Sequence, residues 1–297
     1  MCRFFKGAPE IAADEVYVFV VGKGAKGKVK RMIQKNLDNL TAQDVKDNWA
    51  EVEAAIRKEI KSFIDMKTFE SVLRKVAVNI CTSRWVHKFK MIDGRRVVKS
   101  RLTIRGFQDL ALDLNTFAST ASRWGQRLVL SVCVQRLWTL FTWDVSSAFL
   151  QGLTFQEIAD MSKAPVRAVA FTPPIGSEKY FVEMLGLSVY NPLWHVLNCL
   201  KAIYGLRDAP KAWKSKLHLV LCATGGRPLH TDASLYVWFI GGCLQMVLST
   251  HVDDLKGGGE EETVRKVQKS LEHNFGALKI QQSSFEHWHS APAVQRL

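Results

Sequence analysis

SLYVWFIGGCLQMVLSTHVDD, residues 234–254, is the stretch whose reading decides the fold. Two apolar, β-prone runs, Ser234 to Ile240 and Cys243 to His251, flank Gly241-Gly242, a pair suited to a tight hairpin turn. The second run leads into Val252-Asp253-Asp254 and then Gly257-Gly258-Gly259. Read this way, the acidic pair ends the strand from Gln245 to Val252. A third acid occupies a matching place upstream. The apolar segment Trp138 to Val145 reads as a buried strand that carries Asp144 at its end, 109 residues before Asp253. Only folding can bring these acids together. Side chains alternate along a strand, so adjacent acids at its end face opposite ways. Carboxylates meeting across neighbouring strands make an all-oxygen site, which suits Mg²⁺. An Asp-Asp pair before a glycine run is also common in a solvated turn, and the three acids alone do not decide between the two.

Outward from these strands, helical and strand periodicities alternate. Asp47 to Ile64 is expected as a helix with Trp49, Val52, Ile56 and Ile60 on one face. Trp85 to Lys90 and Val97 to Leu102 are strands joined by the Asp93-Gly94 turn signal. Arg127 to Leu137 is expected as a helix with Leu130, Val134 and Leu137 on its apolar side. A helix restarts near Pro210 with Trp213, Leu217 and Leu221 in line, and Gly225-Gly226 ends it. A last helix begins near Glu260, with Val264, Val267, Leu271 and Phe275 on its apolar face. Thr154 to Asn198, broken by Pro165, Pro173-Pro174 and Pro192, reads as a long, partly helical insertion.

The bulk numbers narrow the classes. The 297 residues are 47% hydrophobic and 23% charged, the balance of a soluble globular chain. A formal charge of +13 suits polyanionic partners, nucleic acid first, and equally an ordinary solubilising surface; composition alone does not choose between them. The six cysteines form no CxxC pair, which suits reduced thiols and an intracellular setting, cytoplasmic or nuclear. The most apolar window, Leu235 to Leu248, is 14 residues long and contains Gln245, too short for a membrane span. Met1 to Lys6 lacks a signal peptide's apolar core. Val16 to Val21 reads as a strand before Gly22-Lys23-Gly24-Ala25-Lys26-Gly27, formally a GxGxxG. No second strand with a terminal acid follows at the dinucleotide-site spacing, so a flexible basic segment is the better reading. His287 and His289 have no further ligands near them in sequence and read as surface residues.

Five segments together resemble the reverse transcriptases of copia-type retrotransposons. Trp143-Asp144-Val145-Ser146-Ser147-Ala148-Phe149-Leu150-Gln151-Gly152 resembles that family's strand–Asp–"VxxAFLxG" run. Leu200 to Trp213, LKAIYGLRDAPKAW, is similar to "LxxxxYGLKxAPRxW", and His251-Val252-Asp253-Asp254 to the "YVDD" box. Lys99 to Phe107, KSRLTIRGF, resembles "KARLVARGF", and Trp85 to Lys90 resembles "WVFKxK". All occur in the family's order, between about residues 49 and 280.

The resemblance implies an α+β right-hand polymerase: fingers with a β-rich hairpin, and a palm with an antiparallel sheet. It implies a basic flanking segment at 1–45, a fingers and palm domain at 46–284 and a tail at 285–297. Asp144, Asp253 and Asp254 would hold two Mg²⁺ ions, with Mn²⁺ as the alternative. Phe149 would lie under the incoming sugar, Tyr204 and Gly205 against nucleotide and template, and Lys99 and Arg101 against the triphosphate. Between Arg84 and Arg105 stand eight Lys and Arg and one acid, which agrees with the last assignment. Partners would be an RNA or DNA template-primer and deoxynucleoside triphosphates, with no membrane; no oligomeric state follows. The other reading is a catalytically inactive remnant that binds nucleic acid through its basic fingers. His251 stands where the family usually has Tyr, and Lys256-Gly257-Gly258 replaces an apolar strand return. The stretch from Leu153 to Leu200 is longer than in the simplest members. Ribonuclease H, protease and integrase parts are expected to be absent from the chain.

Overall fold

A computed structural model describes residues 38–283 apart from 93 and 112–113. The expected strand at Val16 to Val21, the glycine-rich basic segment after it, Asp93 of the expected turn, and His287 with His289 lie outside the described residues. The elements run α1 (Ala42–Asp47), α2 (Trp49–Asp65), β1 (Phe69–Leu73), β2 (Ile80–Ile92), β3 (Arg95–Ile104) and α3 (Arg123–Gln135). Next come β4 (Leu140–Asp144), α4 (Phe155–Ser162), β5 (Ala170–Thr172), α5 (Glu178–Leu185), β6 (His195–Cys199) and α6 (Ala209–Ala223). The chain finishes with β7 (Arg227–Pro228), β8 (Leu235–Ile240), β9 (Cys243–His251), β10 (Asp254–Gly259), α7 (Glu261–Phe275) and β11 (Lys279–Ser283). Two compact units divide these elements: Met1–Glu59 with Trp85–Leu102, and Ile60–Arg84 with Thr103–Leu297.

The first unit holds α1, the start of α2 and the outer part of the β2–β3 hairpin. Val52 and Ile56 are buried as the helical spacing requires, whereas Trp49 at the helix start stays 45% exposed. Glu59 is enclosed between helix and hairpin, and its Oε1 accepts the Leu102 N–H at 3.3 Å. Burial raises the Glu59 pKa, opposed by that hydrogen bond and by the charges of Arg101 and Lys99. The basic hairpin is thus partly balanced from within.

The second unit contains a mixed α/β arrangement with mainly antiparallel sheets. In one sheet β6 lies between β1 and β5, antiparallel to both, and β5 pairs in parallel with the first residues of β2. The expected long, partly helical insertion at Thr154 to Asn198 supplies the helices α4 and α5, and in addition strands β5 and most of β6. Its prolines mask the pattern because they fall between short elements. The other sheet has the order β11-β4-β10-β9-β8-β7. Four of its strands with α6 and α7 form a βαββαβ unit, β4-α6-β9-β10-α7-β11. One face of that sheet is covered by α6 and α7, through Trp213, Leu217, Leu221, Val267, Leu271 and Phe275. On the opposite face α3 packs with Val129 and Cys133 against Leu140, Leu235 and Val247.

One expectation is corrected beside this sheet. The buried stripe of α3 is Gly125, Val129 and Cys133, one position off the expected set; Val134 and Leu137 are 49% and 89% exposed. Nearly every residue from Leu128 to Val134 is apolar, so periodicity picks no face. Gly257 to Gly259 form the second half of β10, paired with β9 along its length and with β4 at Gly257. A Cβ on Gly257 would fall 2.2 Å from the Val247 carbonyl oxygen, and one on Gly258 2.7 Å from Cys133 Sγ. A strand without side chains lets β9 and α3 close on it from two sides.

Lys214 of α6 is mostly buried. Its ammonium donates to Thr250 Oγ1 at 2.6 Å and Ser234 Oγ at 3.3 Å. Burial pushes its pKa down to about 8, opposed by Asp232 and helped by Lys211. The unfolded chain keeps this proton up to the ordinary lysine value of 10.5, so as pH rises above about 8 the folded state is the one that sheds it. Stability must then increase with pH in that window. Wild type is expected to gain melting temperature relative to Lys214→Met between pH 7.5 and 9.5, read by thermal denaturation of both proteins. Equal pH profiles would show that the ammonium is not desolvated.

Candidate active site

β4 delivers Asp144 as its last residue, after Phe141 and Trp143 have buried their rings in the α6–α7 face. The strand period of two therefore sends Asp144 to the opposite face, the one on which α3 lies. Strand β9 runs from Cys243 to His251, the bounds expected for the second apolar run. Val252 and Asp253 form the turn, and Asp254 opens β10, which corrects the placement of the acidic pair at the end of a single strand. The tight reversal follows from the register: Asp254 pairs with His251 on one side and with Asp144 on the other. Asp144 in turn pairs with Lys279 of β11. Lys279, Asp144, Asp254 and His251 thus form one row across four strands, and cross-strand partners share a face.

The turn is strained and tethered. Val252 has φ of +56°, a left-handed conformation that a β-branched residue rarely adopts. Such a backbone costs on the order of 1–3 kcal/mol and persists only where neighbours enforce it. The Trp213 indole Nε1–H donates to the Val252 carbonyl at 2.6 Å. The Val145 N–H donates to the Asp253 carbonyl at 3.0 Å. The residue after Asp144 and the last residue of the Leu200–Trp213 segment therefore hold the acidic turn. Three segments distant in sequence form one assembly.

The carboxylates are unequal. Asp253 is exposed, while Asp254 and Asp144 are half-buried. The Lys279 ammonium lies 3.1 Å from Asp144 Oδ1. Among the described residues no group of three His, Cys, Asp or Glu side chains is gathered closely enough to hold a metal ion. The donor chemistry, carboxylate oxygen alone, suits Mg²⁺: Asp144 ends β4, its direct partner Asp254 opens β10, and Asp253 sits in the turn before it.

The remaining expected residues divide between the two units. Phe149, on a 3-10 turn Ala148–Gln151 just after β4, meets Tyr204 edge-on at 5.8 Å between centroids. Tyr204 also packs near Phe63 at 6.2 Å, and its carbonyl accepts the Ile104 N–H at 2.9 Å. Gly205 follows with φ of +95°, and a Cβ there would lie 2.0 Å from the Ile104 carbonyl oxygen. Gly106 mirrors it, with a virtual Cβ 2.0 Å from the Gly205 carbonyl oxygen. The glycines of the KSRLTIRGF and LKAIYGLRDAPKAW segments are thus required by a backbone-to-backbone crossing. Lys99 and Arg101 belong to the first unit, on β3 beside Glu59.

Sequence reading missed two features. Lys279 gave no motif signal, because β11 was not anticipated. Arg167 is the other: its buried guanidinium bridges Asp109 and Asp208, joining the chain after β3 to the start of α6. Asp109 also accepts from Asn79 Nδ2 at 2.9 Å and from the Ala111 N–H at 3.1 Å. Burial raises its pKa, but these hydrogen bonds and the Arg167 charge outweigh burial and leave it below the ordinary value.

Comparison with known proteins adds independent observations. A family model described as reverse transcriptase (RNA-dependent DNA polymerase) matches residues 66–285. The retrovirus-related Pol polyprotein from transposon RE2 of Arabidopsis thaliana is 28% identical over 279 residues, 92% of this chain and 16% of that one. The corresponding polyprotein from transposon RE1 of the same plant is 29% identical over 215 residues, 71% of this chain and 13% of its own. That from transposon TNT 1-94 of Nicotiana tabacum is 23% identical over 226 residues, 74% of this chain and 15% of its own. The chain spans about a sixth or less of the length of these relatives.

Proposed function

The chain belongs to the reverse transcriptase (RNA-dependent DNA polymerase) family, of the copia type, and from that membership we propose that residues 46–284 form a fingers and palm domain that extends a primer 3′-hydroxyl with deoxynucleotides. One observation carries the proposal. Asp144 and Asp254 are cross-strand partners, and the turn bearing Asp253 is tied to Val145, the residue after Asp144.

In this reading Asp144, Asp253 and Asp254 hold two Mg²⁺ ions. When bound, the ions supply charge stabilisation at the attacking and leaving oxygens of an in-line displacement. The protein's own residues do the rest. Trp213 and Val145 fix the backbone of the acidic turn, so that the main chain carrying Asp253 needs little reorganisation when the ions bind. The Phe149–Tyr204 pair presents an aromatic wall for the sugar, and the close crossing of Gly205 with Ile104 and Gly106 holds the Tyr204 segment in place. Lys99 and Arg101 supply cations for the triphosphate. The βαββαβ sheet serves as the palm and the β2–β3 hairpin as part of the fingers. The +13 charge supports template-primer binding. No helix among the described residues is long and apolar enough to cross a membrane.

Primer extension by the purified chain on poly(rA)·oligo(dT) with dTTP and Mg²⁺, then Mn²⁺, is the test. Extension is expected. Template-primer binding without extension in either metal would leave an inactive nucleic-acid-binding remnant as the reading.

A further inference from the structure

The row that carries the acids also carries a positive charge at its end. Asp144 stands between two direct partners on opposite sides, Lys279 on β11 and Asp254 on β10. Neighbouring strands lie about 4.8 Å apart, so the side chains of both partners are within reach of its carboxylate. One of its two oxygens is already engaged: the Lys279 ammonium is 3.1 Å from Oδ1.

We propose that Lys279 is the built-in counter-ion of the acidic site, holding Asp144 on the β11 side until a divalent cation displaces it and draws Asp144 toward Asp254 and Asp253. The inference rests on reading those acids as metal ligands. The Lys279 side chain is 71% exposed, so its ammonium has water to go to. Exposed ion pairs are weak, and a doubly charged ion outcompetes a single ammonium. The lysine therefore does not block the site; it sets the cation concentration at which the site fills. Lys256 shares the face, two residues along β10 from Asp254, with Thr142 and Ser249 as its strand partners. It adds positive charge nearby without contacting Asp144, and so separates a general field from a specific competitor.

The test is Mn²⁺ titration of the full chain, without nucleic acid or nucleotide, with free Mn²⁺ read by electron paramagnetic resonance. Lys279→Met is expected to bind Mn²⁺ roughly three- to tenfold more tightly than wild type. Lys279→Arg should stay within about twofold of wild type, and Lys256→Met should change affinity less than Lys279→Met does. Circular dichroism checks that each variant is folded. Binding that is lost in Asp253→Asn yet unchanged or weakened in Lys279→Met overturns the counter-ion role alone. Binding indifferent to Asp253 and Asp144 overturns the metal-site reading, and the counter-ion role with it.

Discussion

Asp253→Asn is expected to lower primer extension in Mg²⁺ on the order of a thousandfold while leaving the melting temperature within a few degrees of wild type. Asp253 is an exposed turn residue, and its carbonyl rather than its carboxylate accepts the bond from Val145. Asn keeps the backbone, the volume and the turn propensity, so a loss of rate isolates the charge. Extension rates under saturating template-primer and dTTP give the measure, with filter binding of the same duplex as control. Binding should persist, because phosphate contacts from basic residues supply most of that affinity. If the variant extends primers at the wild-type rate, Asp253 is not a ligand and the proposed site is wrong.

The second large effect falls away from the chemistry. Arg167→Ala is expected to destabilise the fold by about 3–5 kcal/mol, because it strands two buried carboxylates, Asp109 and Asp208, without their shared cation. A triple variant, Arg167→Met with Asp109→Leu and Asp208→Leu, should recover most of that loss, since a well-packed apolar trio can replace a buried ionic one. Urea unfolding at pH 7 compares the three proteins. Acid narrows the gap. Asp109 has a lowered pKa in the wild type, so its stabilisation is present above the ordinary value of 3.8 and is lost as pH falls through the lower folded value. In Arg167→Ala the same carboxyl loses the guanidinium's share of that lowering but keeps the Asn79 and Ala111 hydrogen bonds, so it has less to lose in acid. A single variant no less stable than wild type would show that the guanidinium contributes nothing to the fold.

Much of this molecule can be read without coordinates, and the failures have physical causes. The β8–β9 hairpin was legible because Gly241 and Gly242 sit between two β-prone runs; both adopt positive φ, 56° and 80°. Helix α6 was legible from Pro210, Trp213, Leu217 and Leu221, all where spacing puts them. The three acids were legible as a set only because neighbouring segments matched a known family. The turn at Val252 was not, since no propensity scale would place valine at positive φ; tertiary hydrogen bonds impose it. Strand β10 gave no β-prone pattern, because three of its six residues are glycines whose place is set by the strands and helix that crowd them. β11 and Lys279 lay beyond the last recognised motif, in a five-residue strand with no alternating apolar pattern. The Arg167 bridge joins positions 109, 167 and 208, a relation no local pattern encodes.

The crossing of Gly106 and Gly205 limits how this chain can drift. Most proteins absorb change by letting one side chain yield to another, but here two main chains already touch, and no atoms remain to give way. Inserting a residue in either segment, or enlarging either glycine, would have to part the loops themselves. Variation is thus steered away from this knot and toward the surfaces around it, however loosely those are constrained.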